Sequence, residues 1–320
     1  MVSPLSPSER SYILTGLSHP TSPTRLDGRP LLASRPISVS YGDAPQASGS
    51  ARVVLGGTEV LAGVRLEVAD VDPSDPSDLS AWRTRVEVDV TPQAFPQMTA
   101  QGLSLLSTQL TNILLDHFVP SVPALPIIAP TKYFIPYLHL TLLSSSGNVP
   151  TALLLAARSA FSDLRIPRTK IIGFEANDLV GKAEIPEGAD EEMEKDLSGI
   201  KAAVRAGRGG RGKGKAAVKG GDWELVLGEE DRLEGREKLP VLVTLNLVPG
   251  SDAVFLDASA QEESACPDRL HCFFTGEGRL CGLRMEGSAG LEVKRIRGLL
   301  EEGKRIAGEL VKSLAVEQAA

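Results

Sequence analysis

No run of this sequence approaches the roughly 20 consecutive apolar residues that a bilayer-spanning helix needs. The first residues, Met1 to Arg10, are rich in serine and proline and lack the apolar centre of a secretory signal, so an intracellular chain, cytosolic or nuclear, is expected. Cysteine is scarce, with Cys266, Cys272 and Cys281 as the full set. An odd number with no Cys-x-x-Cys pair fits neither a disulfide framework nor a zinc ribbon. His271 sits beside Cys272, but the gaps between these cysteines are not those of metal sites, so reduced thiols and no metal are expected.

Positive charge is missing over one long window: from Val86 to Thr131 there is not a single lysine or arginine. Signatures of familiar active sites are also absent. No Gly-x-Ser-x-Gly elbow occurs, and His19, His117, His139 and His271 show no obvious acid-partner pattern. His139, inside an apolar strand, reads as a satisfied structural histidine. The glycine-rich segments 207–214 and 276–278 lack the lysine–hydroxyl ending of a phosphate-binding loop, so no cofactor is expected.

What is present suits a folded protein. The chain has 320 residues, 42% of them hydrophobic and 23% charged, enough for one large domain or two ordinary ones. A net charge of −7 argues against a surface that coats nucleic acid, so any RNA contact must be local. Strand character appears at 37–41, 50–55, 59–68 and 83–90, with Gly56-Gly57 at the centre of a hairpin. The aspartates of 70–78 lie in a proline-broken stretch that lacks the glycine and closing glutamate of a calcium loop. Leu103, Leu106, Leu110, Ile113, Leu114 and Phe118 recur at helical spacing over 99–118, and an Ala/Leu-rich helix is expected at 149–163, buried on nearly all sides. Strands are expected at 127–128, 134–143, 170–174, 239–248, 253–257, 271–275 and 280–286. A short helix at 6–17 and an amphipathic helix from 291 to 316 complete an α+β layered domain.

One segment is biased in composition. Acids dominate 184–196, after which Lys201, Arg205, Arg208, Arg211, Lys213, Lys215 and Lys219 follow with no acid among them. Interspersed glycines remove helix propensity, and such a stretch cannot bury enough surface to order itself. A disordered loop is expected there, with those seven cations as candidate RNA contacts.

Four motifs in order carry a family resemblance. They are Arg25-Leu26-Asp27-Gly28-Arg29; the hairpin from Gly49-Ser50-Ala51-Arg52-Val53 through Gly57-Thr58-Glu59-Val60 to Val64; Gly147-Asn148 with its Ala-rich helix and Arg165-Ile166-Pro167; and Phe255-Leu256-Asp257 to Glu262-Glu263. Together they resemble the ribonuclease PH-like core subunits of the RNA exosome, over residues 25 to about 316. The Gly147-Asn148 pair and the Glu262-Glu263 ending single out one subunit type within that family.

The resemblance implies a ribonuclease PH-like fold in two halves, 25–177 and 223–316, between an N-terminal extension 1–24 and a tail 317–320, with 178–222 as the inserted charged loop. It implies a hetero-oligomeric, pseudo-hexameric ring with S1/KH-type cap proteins, single-stranded RNA and a separate hydrolytic ribonuclease as partners. The work of that ring is 3′-to-5′ RNA processing and degradation, including ribosomal RNA maturation and messenger turnover, in nucleus, nucleolus and cytoplasm. Active members use inorganic phosphate as nucleophile, which needs cations to hold it and carboxylates at the leaving group. Here the base-free window covers a helix where active relatives are basic, Ser144-Ser145-Ser146 stands where an aspartate often precedes the glycine, and Asp257 is followed by Ser259 where a second acid belongs. Asp257 and Ser259 are therefore expected to be degenerate former active-site positions, Asp257 serving as a turn or capping residue, and the chain a structural, non-catalytic subunit. The alternatives are a phosphorolytic exoribonuclease with a composite site shared with a neighbour, and a free-standing RNA-binding protein using the basic loop. Segments 239–248 and 134–143 are apolar strands that could complete a neighbour's sheet.

Overall fold

The computed structural model describes residues 5–72, 82–172, 222–288 and 290–317. The acidic stretch after Asp72, most of the charged insertion and the seven cations from Lys201 to Lys219 lie outside the described residues.

The chain runs α1 (Pro7–Leu17), β1 (Ile37–Tyr41), β2 (Gly49–Leu55), β3 (Thr58–Asp70), β4 (Arg85–Val90), α2 (Ala100–His117), β5 (Leu125–Ile128), β6 (Lys132–Ser144), α3 (Val149–Asp163) and β7 (Arg165–Ile172). It continues with β8 (Asp222–Arg232), β9 (Val241–Leu247), β10 (Val254–Leu256), α4 (Ala260–Ala265), β11 (Arg269–Phe274), β12 (Leu280–Glu286) and α5 (Val293–Glu317). Residues 1–168 and 228–320 make one compact unit; Thr169–Leu227 make a second.

Within the first unit lie two sheets. The larger runs β1-β2-β3-β6-β4, with β5 also paired to β6, and the smaller runs β10-β9-β11-β12. The β2–β3 hairpin turns on Gly56-Gly57, with Leu55 opposite Thr58 and Gly56 at φ +58°, a backbone glycine adopts without cost. Strands β7 and β8 pair by themselves as a two-stranded sheet.

Helix α3 organises the core. Buried Leu153, Leu154, Leu155, Ala156 and Ala157 follow one another, so the helix is covered around its whole circumference. It packs on β2 and β3 of the larger sheet and on β9 of the smaller one. One apolar cluster runs from Ala51 and Val60 through Leu154 and Phe161 to Leu245, Phe273 and Ile306. Each fully buried leucine or phenylalanine in it contributes about 1.5–3 kcal/mol. A smaller cluster seats α1, through Ile13 and Leu17, on Phe255, Ala258 and Ala265.

Several expectations need correcting. The strands at 239–248 and 134–143 are not edges: β9 is flanked by β10 and β11, and β6 by β3, β4 and β5. Every residue of Val241–Leu247 is buried, the signature of a central strand. Strand β7 begins at Arg165, directly after α3, rather than at 170. Strand β8 and helix α4 have no counterpart in the expected elements.

Candidate functional site

The N-terminal segment 25–35 lies against the end of β10, and arginines do the joining. Arg25 is buried over the Phe255 ring, at 5.3 Å from its centroid. Its Nε and Nη2 donate to the two Glu262 carboxylate oxygens at 3.0 and 2.6 Å, and its Nη1 and Nη2 donate to the Leu256 and Asp257 carbonyls at 2.7 and 2.8 Å. Arg29 closes its turn by donating to Asp27 Oδ2 at 2.6 Å and reaches Asp257 Oδ2 at 3.1 Å.

Arg35 completes the arrangement. Its backbone N and Nε donate to Asp257 Oδ2 at 2.7 and 2.8 Å, and its Nη2 donates to Oδ1 at 2.7 Å. Nη1 donates to Ser146 Oγ at 2.6 Å. The Arg35 stem crosses Gly56 so closely that a Cβ there would stand 2.5 Å from Cδ. Gly147 meets the same demand: at φ +100°, its Cβ would lie 2.5 Å from the Ala258 carbonyl oxygen.

Asp257 is the centre of this network, with a side chain 1% exposed. It sits at φ +51°, and Asn148, at φ +56°, donates from Nδ2 to Asp257 Oδ1 at 2.9 Å. Left-handed backbone at a non-glycine residue costs about 1–3 kcal/mol and persists only where surroundings over-determine it, as the arginines do here. Burial by itself would raise the Asp257 pKa, but the hydrogen bonds and charge of Arg35 outweigh it and hold the carboxyl below the ordinary aspartate range. Burial pushes Glu263 up, against the charge of Arg269 and a hydrogen bond from the Asn148 N–H at 2.8 Å.

Asp257 sits in the bend after β10 and is also an ion-pair hub tying the N-terminal segment to the smaller sheet. Capping falls to Ser259, whose Oγ accepts from the Glu262 N–H at the start of α4 while Glu262 Oε2 accepts from the Ser259 N–H at 2.8 Å. Ser259, expected to be a degenerate active-site position, is engaged in starting a helix. Arg35 was not singled out from the sequence; it stands alone between turns, and only the fold carries it to Asp257.

The histidines also correct an expectation, since two have acid partners on adjacent strands. His139 is half-exposed, and its Nε2 lies 2.9 Å from Asp89 Oδ2. His271 is buried, with Glu286 Oε2 3.3 Å from Nε2 and Thr244 Oγ1 3.0 Å from Nδ1. Cys266 and Cys272 are buried free thiols pushed up to about 12 by desolvation, which leaves them protonated and unreactive at neutral pH. Among the described residues no group of three or more His, Cys, Asp or Glu is placed to hold a metal ion. The arrangement around Asp257 can bind the chain to itself; its guanidiniums and carboxylates are committed to one another.

Residues 33–167 match the 3′ exoribonuclease family, domain 1. A Dictyostelium discoideum protein named as an exosome complex exonuclease, RRP42, is 23% identical over 96% of this chain and 95% of its own length. An exosome complex component Rrp42 of Sulfurisphaera tokodaii is 34% identical over 47% of this chain, and the match spans 54% of that protein. The corresponding Thermoplasma volcanium component is 31% identical over 52% of this chain and 63% of its own length. A chain of the Archaeoglobus fulgidus exosome, solved with RNA bound to the active site, superposes with TM-score 0.67 at 21% identity, covering 96% of this chain and 98% of its own. The α+β architecture is therefore the ribonuclease PH-like one, and the subunit type indicated by Gly147-Asn148 and Glu262-Glu263 is the one these relatives carry. The chain is thus similar over residues 33–167 to domain 1 of the 3′ exoribonuclease family, spans a little over half the length of the archaeal relatives it matches, and resembles proteins named as Rrp42 exosome components.

Proposed function

We propose that this chain is a non-catalytic subunit of an exosome ring, supporting 3′-to-5′ RNA processing and degradation by closing the ring rather than by cleaving RNA. Its partners are other ribonuclease PH-like subunits, S1/KH-type cap proteins and single-stranded RNA passing to a separate hydrolytic ribonuclease, in nucleus and cytoplasm. The relatives' names and the exosome cores of like fold support the ring role.

The observation that carries the non-catalytic reading is the state of Asp257. Phosphorolysis needs free cations for an anionic nucleophile and a carboxylate free to act on the leaving group. Here Arg29 and Arg35 both bind Asp257, and Ser259 caps α4. The base-free span from Val86 to Thr131 supplies no replacement cation.

Full-length chain incubated with labelled single-stranded RNA and inorganic phosphate should release no nucleoside diphosphates. Co-expressed with its ring partners it should assemble at one copy per ring. Phosphate-dependent release by the purified chain alone would overturn the non-catalytic reading, and a monomer that ignores those partners in a pull-down would overturn the ring role.

A further inference from the structure

A cavity of about 290 Å³ opens where the N-terminus of α3, strand β9 and the inner face of α5 meet. Leu242, Leu256 and Leu310 form its apolar side; Asn148, Thr151 and Thr244 form its polar side, with Ser34 and Ser313 exposed at the mouth. An apolar cavity of roughly 150 Å³ already holds benzene. Twice that volume suits a fused two-ring molecule.

Two carboxylates also line the cavity: Asp257, held by Arg29 and Arg35, and Glu309, paired with Arg305 at the exposed rim. Asn148 is 3% exposed; its Nδ2 is engaged by Asp257, while its Oδ1 has no hydrogen-bond partner among the described residues. Thr151 Oγ1 lies 3.1 Å from Thr244 Oγ1, which lies 3.0 Å from His271 Nδ1, all three residues being buried. Either hydroxyl of the Thr151–Thr244 pair can be the donor, and in both cases Thr151 Oγ1 keeps a lone pair with which to accept. Asn148 Oδ1 can only accept, so an occupant that satisfies both atoms must bring donors.

We propose that this cavity is a small-molecule site for an uncharged, purine-type two-ring heteroaromatic. Its N–H groups donate to Asn148 Oδ1 and Thr151 Oγ1, and Leu242, Leu256 and Leu310 cover the ring. The site goes beyond the ring role and needs neither a neighbouring subunit nor catalysis, so the two can fail separately.

Adenine is the probe, and indene, a hydrocarbon of the same outline without donors, is the control; both are titrated calorimetrically into the full-length chain. Adenine should bind saturably at one site, and indene at least about tenfold more weakly, the difference one well-made hydrogen bond supplies. Asn148→Gly, which suits the φ of 56° at that position, should weaken adenine by about tenfold and leave indene unchanged. Leu310→Trp should fill the space and abolish both. Should that variant lose its fold by circular dichroism, Ser313→Phe at the exposed mouth provides the same block. No adenine binding at millimolar concentration, equal affinity for the two probes, or undiminished binding in a folded blocked variant would each overturn the proposal.

Discussion

Arg25 and Glu262, 237 positions apart in the chain, meet at 2.6 Å with side-chain exposures of 0% and 1%. A charge pair so enclosed behaves differently from an exposed one such as Arg305 and Glu309 on α5. Removing one member leaves the other's charge buried and uncompensated, whereas removing both relieves the problem. Arg25→Met should therefore destabilise the fold by about 3–5 kcal/mol, read as a lower urea midpoint at unchanged slope. Arg25→Met with Glu262→Gln should cost clearly less than the sum of the single changes. Strict additivity would mean the two side chains do not interact.

Acid should act through Asp257. Its folded pKa is depressed, so the stability it contributes is fully present above the unfolded aspartate value of about 3.9 and drains away as pH falls through the lower folded value. The gap in stability between the wild type and Asp257→Asn should be constant above about pH 5 and shrink on further acidification. Glu263, shifted upward by burial, has the opposite pH dependence but is common to both proteins and cancels in the difference. Urea midpoints from pH 3 to 7 test this; a gap that stays constant to the acid end would refute it.

Ser259 separates capping from chemistry. Ser259→Ala should cost about 1 kcal/mol through loss of the cap, while Ser259→Asp, an equally good cap, should leave stability nearly unchanged. The aspartate places a second acid two residues after Asp257, yet no phosphorolysis should appear, because Asp257 stays bound by Arg29 and Arg35. Phosphate-dependent RNA loss in Ser259→Asp would show that this one position silences the site.

The basic segment is tested by deleting residues 201–219. Thermal stability should barely change. If all seven cations meet single-stranded RNA, the slope of log affinity against log salt should fall by up to about 5. An unchanged slope would exclude the segment from RNA contact.

Legibility in the sequence followed length and periodicity. Helices α2 and α3 and strands β2, β3 and β6 each carry a long apolar pattern and lie where that pattern puts them. Helix α4 has six residues, too few to show a period, although its Ser259…Glu262 capping box is visible in retrospect. Strand β8 sets Trp223 and the Leu225-Val226-Leu227 run among acids and glycines, so no period-two pattern marks it. The site was half legible. Asp257, Glu262 and the Arg25–Arg29 turn stood out as motif residues, whereas Arg35 and Asn148 become partners of Asp257 only when three distant segments meet. The histidine–acid pairs escaped for a related reason: Asp89 faces His139 across neighbouring strands, 50 positions away in the chain.

Helix α3 has one more consequence. It belongs to the first half of the chain, yet part of its cover is β9 of the second. A chain cut between residues 173 and 221 would give an N-terminal fragment whose central helix lacks a wall and a C-terminal fragment whose innermost strand lacks a floor. Neither piece should hold its shape alone, but mixed together they should restore each other, a complementing pair whose signal appears only on reunion.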